Sequence, residues 1–218
     1  MSNRSMLISG FIIALAPAFA RAEVELYLYG GLQSAPHSSV TISGSDYFND
    51  QQFTAGWDGD SFIAPPYYGL RAVWWHSSYF GIGMELNHAK VYANDTTLKE
   101  SGLSRLEFSD GLNILTMNIF RRWPKFHQLF VPYFGGGIGL SIPHVEVTRS
   151  NSKTFEYQIT GPAVAVVAGV SYPIADHWSV FAEYKGTYSI NKADLESSNK
   201  LETNIVTNAV NFGVSFDF

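Results

Sequence analysis

The chain has 218 residues, carries 14 Lys and Arg against 19 Asp and Glu, and contains no cysteine. This length fits one domain, and the acidic balance argues against nucleic acid as a partner, because its binders carry basic stripes. The lack of cysteine excludes disulfides, thiolate nucleophiles and iron–sulfur sites.

The N-terminal residues 1–22 have the pattern of a secretory signal peptide. Arg4 precedes an apolar stretch over residues 6–19, and a small-x-small cleavage site follows over residues 20–22. We expect this segment to be removed after export through the Sec route into the periplasm, leaving a single domain over residues 23–218. No later run of about 20 apolar residues provides a transmembrane helix.

Alternation of apolar with small or polar residues predicts about eight strands in the rest of the chain. They lie at roughly 23–33, 67–76, 79–92, 106–121, 130–147, 157–172 and 178–191, with a last strand that ends at Phe218. Three connections are short (77–78, 124–128, 173–177), and four are longer and more polar (35–64, 94–105, 148–155, 192–203).

The last strand shows the alternation most clearly. Its apolar positions are Val210, Phe212, Val214, Phe216 and Phe218, and the residues between them are small or polar. A strand that is apolar outside, small or polar inside and aromatic at its end is typical of outer-membrane barrels.

We therefore predict an all-β fold, an eight-stranded antiparallel transmembrane β-barrel of the bacterial outer membrane. An even number of strands places both termini in the periplasm, and the longer loops then face outwards. We expect a monomer surrounded by outer-membrane lipids, whose C-terminal strand ending in Phe218 is recognised by the barrel-assembly machinery.

Polar residues on the inward parity predict an ion network that fills the narrow interior, because unpaired buried charges are costly. A proton path or a small pore is the alternative. The inward set is Arg71, Glu85, Asn87, Asp110, Asn118, Glu183 and Lys185. The glycine run over residues 135–139 lacks the strand-then-helix context of a nucleotide loop. We expect its inward glycines to let the interior close without clashes.

A second polar group lies towards the outward ends of the strands. It includes His37, His88 and His144, with Glu107, Ser109, Asn113 and Glu146 at nearby positions. We expect His88, His144, Glu107, Asn113 and Glu146 to face lipid near the headgroups, where a charge costs less than at the bilayer centre. Imidazole and carboxylate together suit a divalent transition metal. Ordinary headgroup contacts are the alternative. Neither a Gly-x-Ser-x-Gly elbow nor a His-Glu-x-x-His zinc helix occurs.

The chain contains several unusual sequence segments. They lie at 29–37, 56–62, 65–71, 85–92, 106–113, 121–124, 143–146, 160–162, 178–186 and in the C-terminal strand. Through these segments nearly the whole chain after residue 22 resembles the rhizobial-type outer-membrane lipid A oxidase family. The resemblance implies that the chain oxidises the proximal glucosamine of lipid A, a part of lipopolysaccharide, to a 2-aminogluconate unit. It further implies molecular oxygen as co-substrate, dependence on a divalent cation and release of hydrogen peroxide.

The family supplies no assigned catalytic residues, so the expected site comes from the outward group. The expected catalytic residues are His88, His144, Glu146 and Asp110, with Glu146 as the proton acceptor. The expected metal ligands are His37, His88, His144 and Glu107, with Asp110 as the alternative carboxylate ligand. A divalent ion that only bridges lipid A phosphates to acidic loop residues is a second interpretation.

Two other functions fit the same barrel. One is a non-enzymatic structural or adhesive protein whose loops bind lipopolysaccharide or host ligands. The other is a different lipid A modifier, such as a deacylase that uses a serine and a histidine on the outer face. These readings differ in the product, because an oxidase adds one oxygen atom, a deacylase removes an acyl chain and a structural barrel changes nothing.

Overall fold

The computed structural model describes residues 23–44, 50–124, 129–150 and 152–218, without the side chain of Ser109. The signal-peptide prediction, Asp46 of the first loop and part of the predicted 124–128 connection lie outside these residues.

The described residues form thirteen strands and two short helical segments. In chain order they are β1 (Glu23–Ser34), β2 (Ser38–Ser43), β3 (Gln51–Ala55), β4 (Trp57–Asp58), β5 (Tyr68–Trp75), β6 (Phe80–Ala93), α1 (Asp95–Ser101), β7 (Arg105–Arg122), β8 (Val131–Ser141), β9 (His144–Arg149), β10 (Ser152–Tyr157), β11 (Gly161–Pro173), β12 (Trp178–Asp194), a 3-10 turn (Glu196–Ser198) and β13 (Lys200–Asp217).

Eight of these strands close into a ring in the order β1, β5, β6, β7, β8, β11, β12 and β13, with β13 pairing back onto β1. Every pairing around the ring is antiparallel. The predicted eight-stranded antiparallel barrel is thus confirmed. No helix within the described residues is long and apolar enough to cross a membrane.

The outer surface of the ring is apolar. Leu28 is 53% exposed, Phe212 62% and Ile138 72%, whereas their sequence neighbours on the inward face are largely buried. Residues 80–88 of β6 and 113–121 of β7 match the roughly 9–11 residues that a tilted strand needs to cross a bilayer. The parts of these strands beyond residue 88 and before residue 113 continue past the membrane-spanning part.

A buried ion network fills the middle of the barrel. Arg71 Nη2 lies 2.9 Å from Glu85 Oε1 and 2.8 Å from Glu183 Oε1, and Lys185 Nζ lies 2.8 Å from Glu85 Oε1. Tyr29 and Tyr133 donate hydrogen bonds to these two glutamates. Two cations and two carboxylates therefore satisfy one another, as the inward parity of these residues predicts.

Inward glycines make room for the aromatic rings around this network. A Cβ atom on Gly135 would collide with the ring of Phe120, and one on Gly69 would collide with the ring of Tyr29. The prediction that glycines of the 135–139 run allow the interior to close is confirmed at Gly135, and Gly69 has the same role on β5.

The longer connections carry more structure than the sequence indicates. The β2–β3 hairpin pairs with β13, the β9–β10 hairpin pairs with β7, and β4 pairs with β6. Asn94 caps α1 by accepting a hydrogen bond from the Thr97 N–H at 3.0 Å. We call these additions, β2, β3, β4, α1, β9 and β10, the loop-end cap. Their apolar side chains, such as Val40, Ile42 and Val145, pack in one cluster with inward barrel residues.

Two predicted strand assignments need correction. The predicted strand 130–147 is broken at Ile142 and Pro143 into β8 and β9, since proline cannot donate to a ladder. The predicted strand 157–172 begins instead at Gly161, and Tyr157 ends the preceding β10.

Asp110 was expected in the interior, but it lies exposed on the outward side of β7.

We predict that Arg71→Met destabilises the barrel by about 3–5 kcal/mol, because it leaves two buried carboxylates short of a partner. The measurement is urea unfolding in detergent, followed by the shift between folded and unfolded bands on gels. Lys192→Met is the control, since its exposed pair with Glu202 at 3.1 Å should contribute no more than about 1 kcal/mol. Equal losses in the two variants would show that the inner network does not hold the barrel together.

Candidate functional site

The strand registers bring the predicted outward group onto one face. His88 lies opposite Asn113 in the β6–β7 pairing, and Glu107 lies opposite Glu146 in the β7–β9 pairing. These residues therefore share one parity, but His88, His144 and Glu146 are buried beneath the neighbouring segments and do not face lipid. We call the set His88, Lys90, Glu107, Asp110, His144 and Glu146 the outward polar patch.

A bulge in β7 shapes this patch. The β6–β7 register shifts between Ala89 and Val91, and on β7 the backbone of Gly111 adopts a φ of 101°. A Cβ atom on Gly111 would collide with the imidazole of His88. Bulges often redirect side chains next to functional sites, and here glycine is required both by its φ value and by the close histidine ring.

His88 is held firmly in place. Its ring stacks on Tyr68 with centroids 5.0 Å apart and an interplanar angle of 21°, and Nδ1 lies 2.8 Å from Asn113 Oδ1. The residue is 4% exposed, and its Nε2 has no hydrogen-bond partner among the described residues. A buried imidazole nitrogen without a partner is costly unless a ligand or water completes it.

His144 lies in an aromatic corner made by β10. Its ring meets Phe155 and Tyr157 edge-on, at centroid distances of 4.3 Å and 4.8 Å. The Nδ1 atom lies 3.9 Å from Asp110 Oδ2, across from the β7 bulge. Asp110 and His144 thus approach each other on the outward face.

Two carboxyl groups face each other in the patch. Arg105 Nη1 lies 3.1 Å from Glu107 Oε1 and 3.1 Å from Glu146 Oε1, and Lys153 Nζ lies 3.8 Å from Glu146 Oε1. The pKa of Glu107 is raised to about 7, mainly by partial burial and also by the hydrogen bond and charge of Glu146, while Arg105 and Lys90 oppose the shift. Glu107 therefore changes its charge near neutral pH, which suits a general acid or base.

Lys90 also belongs to the patch, although it is not among the site residues predicted from the sequence. Its Nζ donates a hydrogen bond to the Ile63 carbonyl at 2.9 Å and lies 5.1 Å from the ring centroid of Tyr92. Burial lowers the pKa of Lys90, and the charges of Asp60, Asp110 and Glu107 oppose that shift. Its position in the sequence could have indicated this, because Lys90 follows His88 by two residues in β6 and so lies on the same face of the strand.

The expected metal ligands are not assembled. His37 lies exposed between β1 and β2, next to Gly56, and His88 already uses Nδ1 for Asn113. Within the described ranges no group of three or more His, Asp or Glu side chains is placed to hold a metal ion. The residues present therefore do not fit the divalent cation that the resemblance implies.

A family model for the outer membrane protein beta-barrel domain matches residues 6–218. The chain belongs to the outer membrane protein beta-barrel domain family. This membership, together with the closed ring and its apolar outer surface, indicates the bacterial outer membrane as the location of the protein. In such barrels the short turns lie in the periplasm and the longer loops outside, so the outward polar patch lies on the side of the outer leaflet.

Two solved structures of such barrels share this fold. Neisserial surface protein A is 13% identical with a TM-score of 0.51, over 89% of this chain and 97% of that chain. The outer membrane protein AlkL in lipid bilayers is 12% identical with a TM-score of 0.50, over 100% of this chain and 97% of that chain. These likenesses concern the fold alone. The curated proteins contain no match to this outer-membrane barrel.

We predict that Gly111→Ala displaces the His88 ring from Tyr68, because the added Cβ would occupy the position of the imidazole. The measurement is the NMR chemical shift of the His88 ring protons, which the stacked Tyr68 ring moves. Gly186→Ala is the control, because its Cβ would meet nothing closer than 3.4 Å. An unchanged His88 signal in a folded Gly111→Ala barrel would contradict this account of the bulge.

We predict that Glu107 makes the barrel less stable as the pH rises. Its folded pKa of about 7 exceeds the ordinary value of 4.5, so the folded state binds the proton more tightly and stability falls as pH rises from about 4.5 to 7. Glu107→Gln should remove this part of the pH dependence in urea unfolding between pH 5 and pH 8. The exposed Glu100→Gln serves as the control and should leave it unchanged. The same pH dependence in Glu107→Gln and the parent barrel would refute the assignment.

Proposed function

We propose that this barrel oxidises the proximal glucosamine of lipid A to a 2-aminogluconate unit, with molecular oxygen as oxidant. The observation that carries the proposal is the outward polar patch. Ionisable side chains gather on one face of β6, β7 and β9, beyond the apolar surface of the ring. Arg105 and Asp110 are exposed there, whereas most of the other members are buried. That level is where the sugar headgroup of an outer-leaflet glycolipid would lie.

The position of the patch supports a lipid substrate over a soluble one. A charged side chain on the lipid face costs free energy that falls from about 2–4 kcal/mol at the midplane towards the interface. Arg105, Glu107 and Glu146 lie beyond residues 113–121 of the spanning part of β7, so they avoid the larger cost.

Two exposed cations are available to anionic groups of the lipid. The side chains of Arg105 and Lys153 are 52% and 56% exposed, and both lie beside Glu146. Guanidinium and ammonium groups bind phosphate by charge-assisted hydrogen bonds. The unpartnered Nε2 of His88 adds a hydrogen-bonding group for a sugar hydroxyl or a nearby water.

Glu107 is the better proton acceptor of the two facing carboxyl groups. Its pKa of about 7 matches neutral pH. Arg105 contacts both carboxyl groups, but only Glu146 also has Lys153 as a partner. Glu107 therefore takes the role of proton acceptor, which was expected for Glu146 from the sequence. In the reaction the C1 hydroxyl loses its proton to Glu107, and C1 loses its hydrogen with two electrons. Oxygen takes up two electrons and two protons to become hydrogen peroxide, and water then opens the lactone to the acid.

The described residues support a lipid substrate better than they support a bound divalent cation. The described residues supply binding and acid–base groups, but they do not form a three-ligand metal site. The dependence on a divalent cation stays a prediction that chelation can test.

A non-enzymatic barrel that binds lipopolysaccharide is the second candidate. The ion pairs of Arg105 with Glu107 and Glu146 favour it, because paired charges can hold a headgroup without performing chemistry. The two candidates share the ligand and differ in the product.

We predict that cells expressing this chain contain a lipid A species heavier by one oxygen atom, provided that their lipid A lacks the 1-phosphate and so has a free C1 hydroxyl. Mass spectrometry of extracted lipid A against an empty-vector strain is the measurement. The new species should disappear under anaerobic growth, fall about 100-fold or more in Glu107→Gln as expected for a lost general base, and persist in Glu100→Gln. A folded barrel without any new lipid A species would favour the non-enzymatic candidate.

A further inference from the structure

An apolar groove runs along the lipid-facing surface next to the outward polar patch. It encloses about 370 Å³ and is lined by Leu26, Leu70, Ala72, Met84, Leu86 and Leu115. Ala72 is the smallest of these side chains, and larger residues surround it on β1, β5 and β6. The groove exists because one alanine interrupts a surface of leucine and methionine.

The registers connect this groove directly to the patch. Along the β5–β6 pair, Tyr68 lies opposite His88, then Leu70 opposite Leu86, and then Ala72 opposite Met84. On the other side of β6, His88 lies opposite Asn113 and Leu86 lies opposite Leu115. A molecule whose polar part lies against the half-buried Tyr68 and Asn113, which cover His88, would therefore extend its apolar part over Leu86 and into the space above Ala72.

We propose that this groove seats one acyl chain of the glycolipid whose sugar occupies the outward polar patch, so that Ala72 helps to select the lipid. The inference rests on the proposed assignment of the patch to lipid A. An acyl chain is the matching occupant because the groove is almost entirely apolar, faces the hydrocarbon and opens towards a polar region that would hold a sugar headgroup. A single headgroup contact then fixes the register of the chain, and the chain in turn orients the sugar at the patch.

A second groove provides a matched control on the same barrel. It encloses about 400 Å³ around Ala182, with Val170, Tyr172, Val180 and Phe212 in its lining. It lies on β11, β12 and β13, away from β6 and β7, which carry most of the patch. Both grooves contact membrane lipid, but only the Ala72 groove continues from the patch.

The experiment compares Ala72→Leu with Ala182→Leu in the full chain, purified in detergent and checked for folding by heat-dependent gel mobility. The probe is 1-dephosphorylated lipid A, with a phospholipid of similar chain length as competitor, and bound lipid is measured by native mass spectrometry. We expect Ala72→Leu to raise the Kd for lipid A about tenfold, as the loss of one or two buried methylene contacts implies. Ala182→Leu should change it less than about twofold, because a site away from the bound lipid contributes nothing to Kd.

Binding and oxidation are measured separately, so their failures can be distinguished. If the parent chain binds lipid A and Ala72→Leu weakens that binding, the groove stands even when no oxidised product forms, and only the oxidase proposal fails. If oxidised lipid A forms while Ala72→Leu binds it as tightly as the parent does, the oxidase stands and the groove proposal is wrong. Equal losses in Ala72→Leu and Ala182→Leu, or equal binding of the phospholipid competitor, would also overturn the groove by showing general lipid contact.

Discussion

Closure of the sheet is the constraint on which the rest of the structure depends. In hydrocarbon every backbone N–H and C=O must pair within the protein, so a spanning sheet cannot leave an edge open. The pairing of β1 with β13, from Glu25 opposite Asp217 to Ser34 opposite Asn208, removes that edge. Once the ring is closed, each strand has one face towards lipid and one towards a narrow interior, and each polar side chain must be accommodated on one of these faces.

The protein accommodates charge differently on the two faces. Inside, Arg71, Lys185, Glu85 and Glu183 are completely enclosed and neutralise one another at distances below 3 Å. Outside, the charged groups are kept to the stretch beyond the spanning strands, and burial together with the neighbouring Glu146 carboxyl raises the pKa of Glu107 to about 7. The inner charges therefore act in stability, whereas on the outer side Arg105 and Asp110 remain exposed to a ligand.

The strands could be predicted because the alternation of apolar and polar residues involves only neighbouring positions in the sequence. Alternation in the sequence identified all eight ring strands, and parity alone placed His88 and Glu107 on the outward face. Parity failed at Asp110, because Asp110 lies inside the β7 bulge, where the register with β6 shifts by two residues and no local pattern reveals it. Lys90 was missed because a lysine at an outward position is usually exposed to solvent. Only the structure shows that the segment around Ile63 covers it. The metal prediction depended on distances between different strands, and sequence spacing does not contain them.

The loop-end cap has a consequence for how the chain reaches its final state. Its apolar cluster combines Val40 and Ile42 from near the beginning of the domain with Leu201 from near its end. These segments come together only after β13 has paired with both β1 and β2, which requires the last strand to be in place. The exterior of the protein is thus completed last, by the same strand that closes the ring.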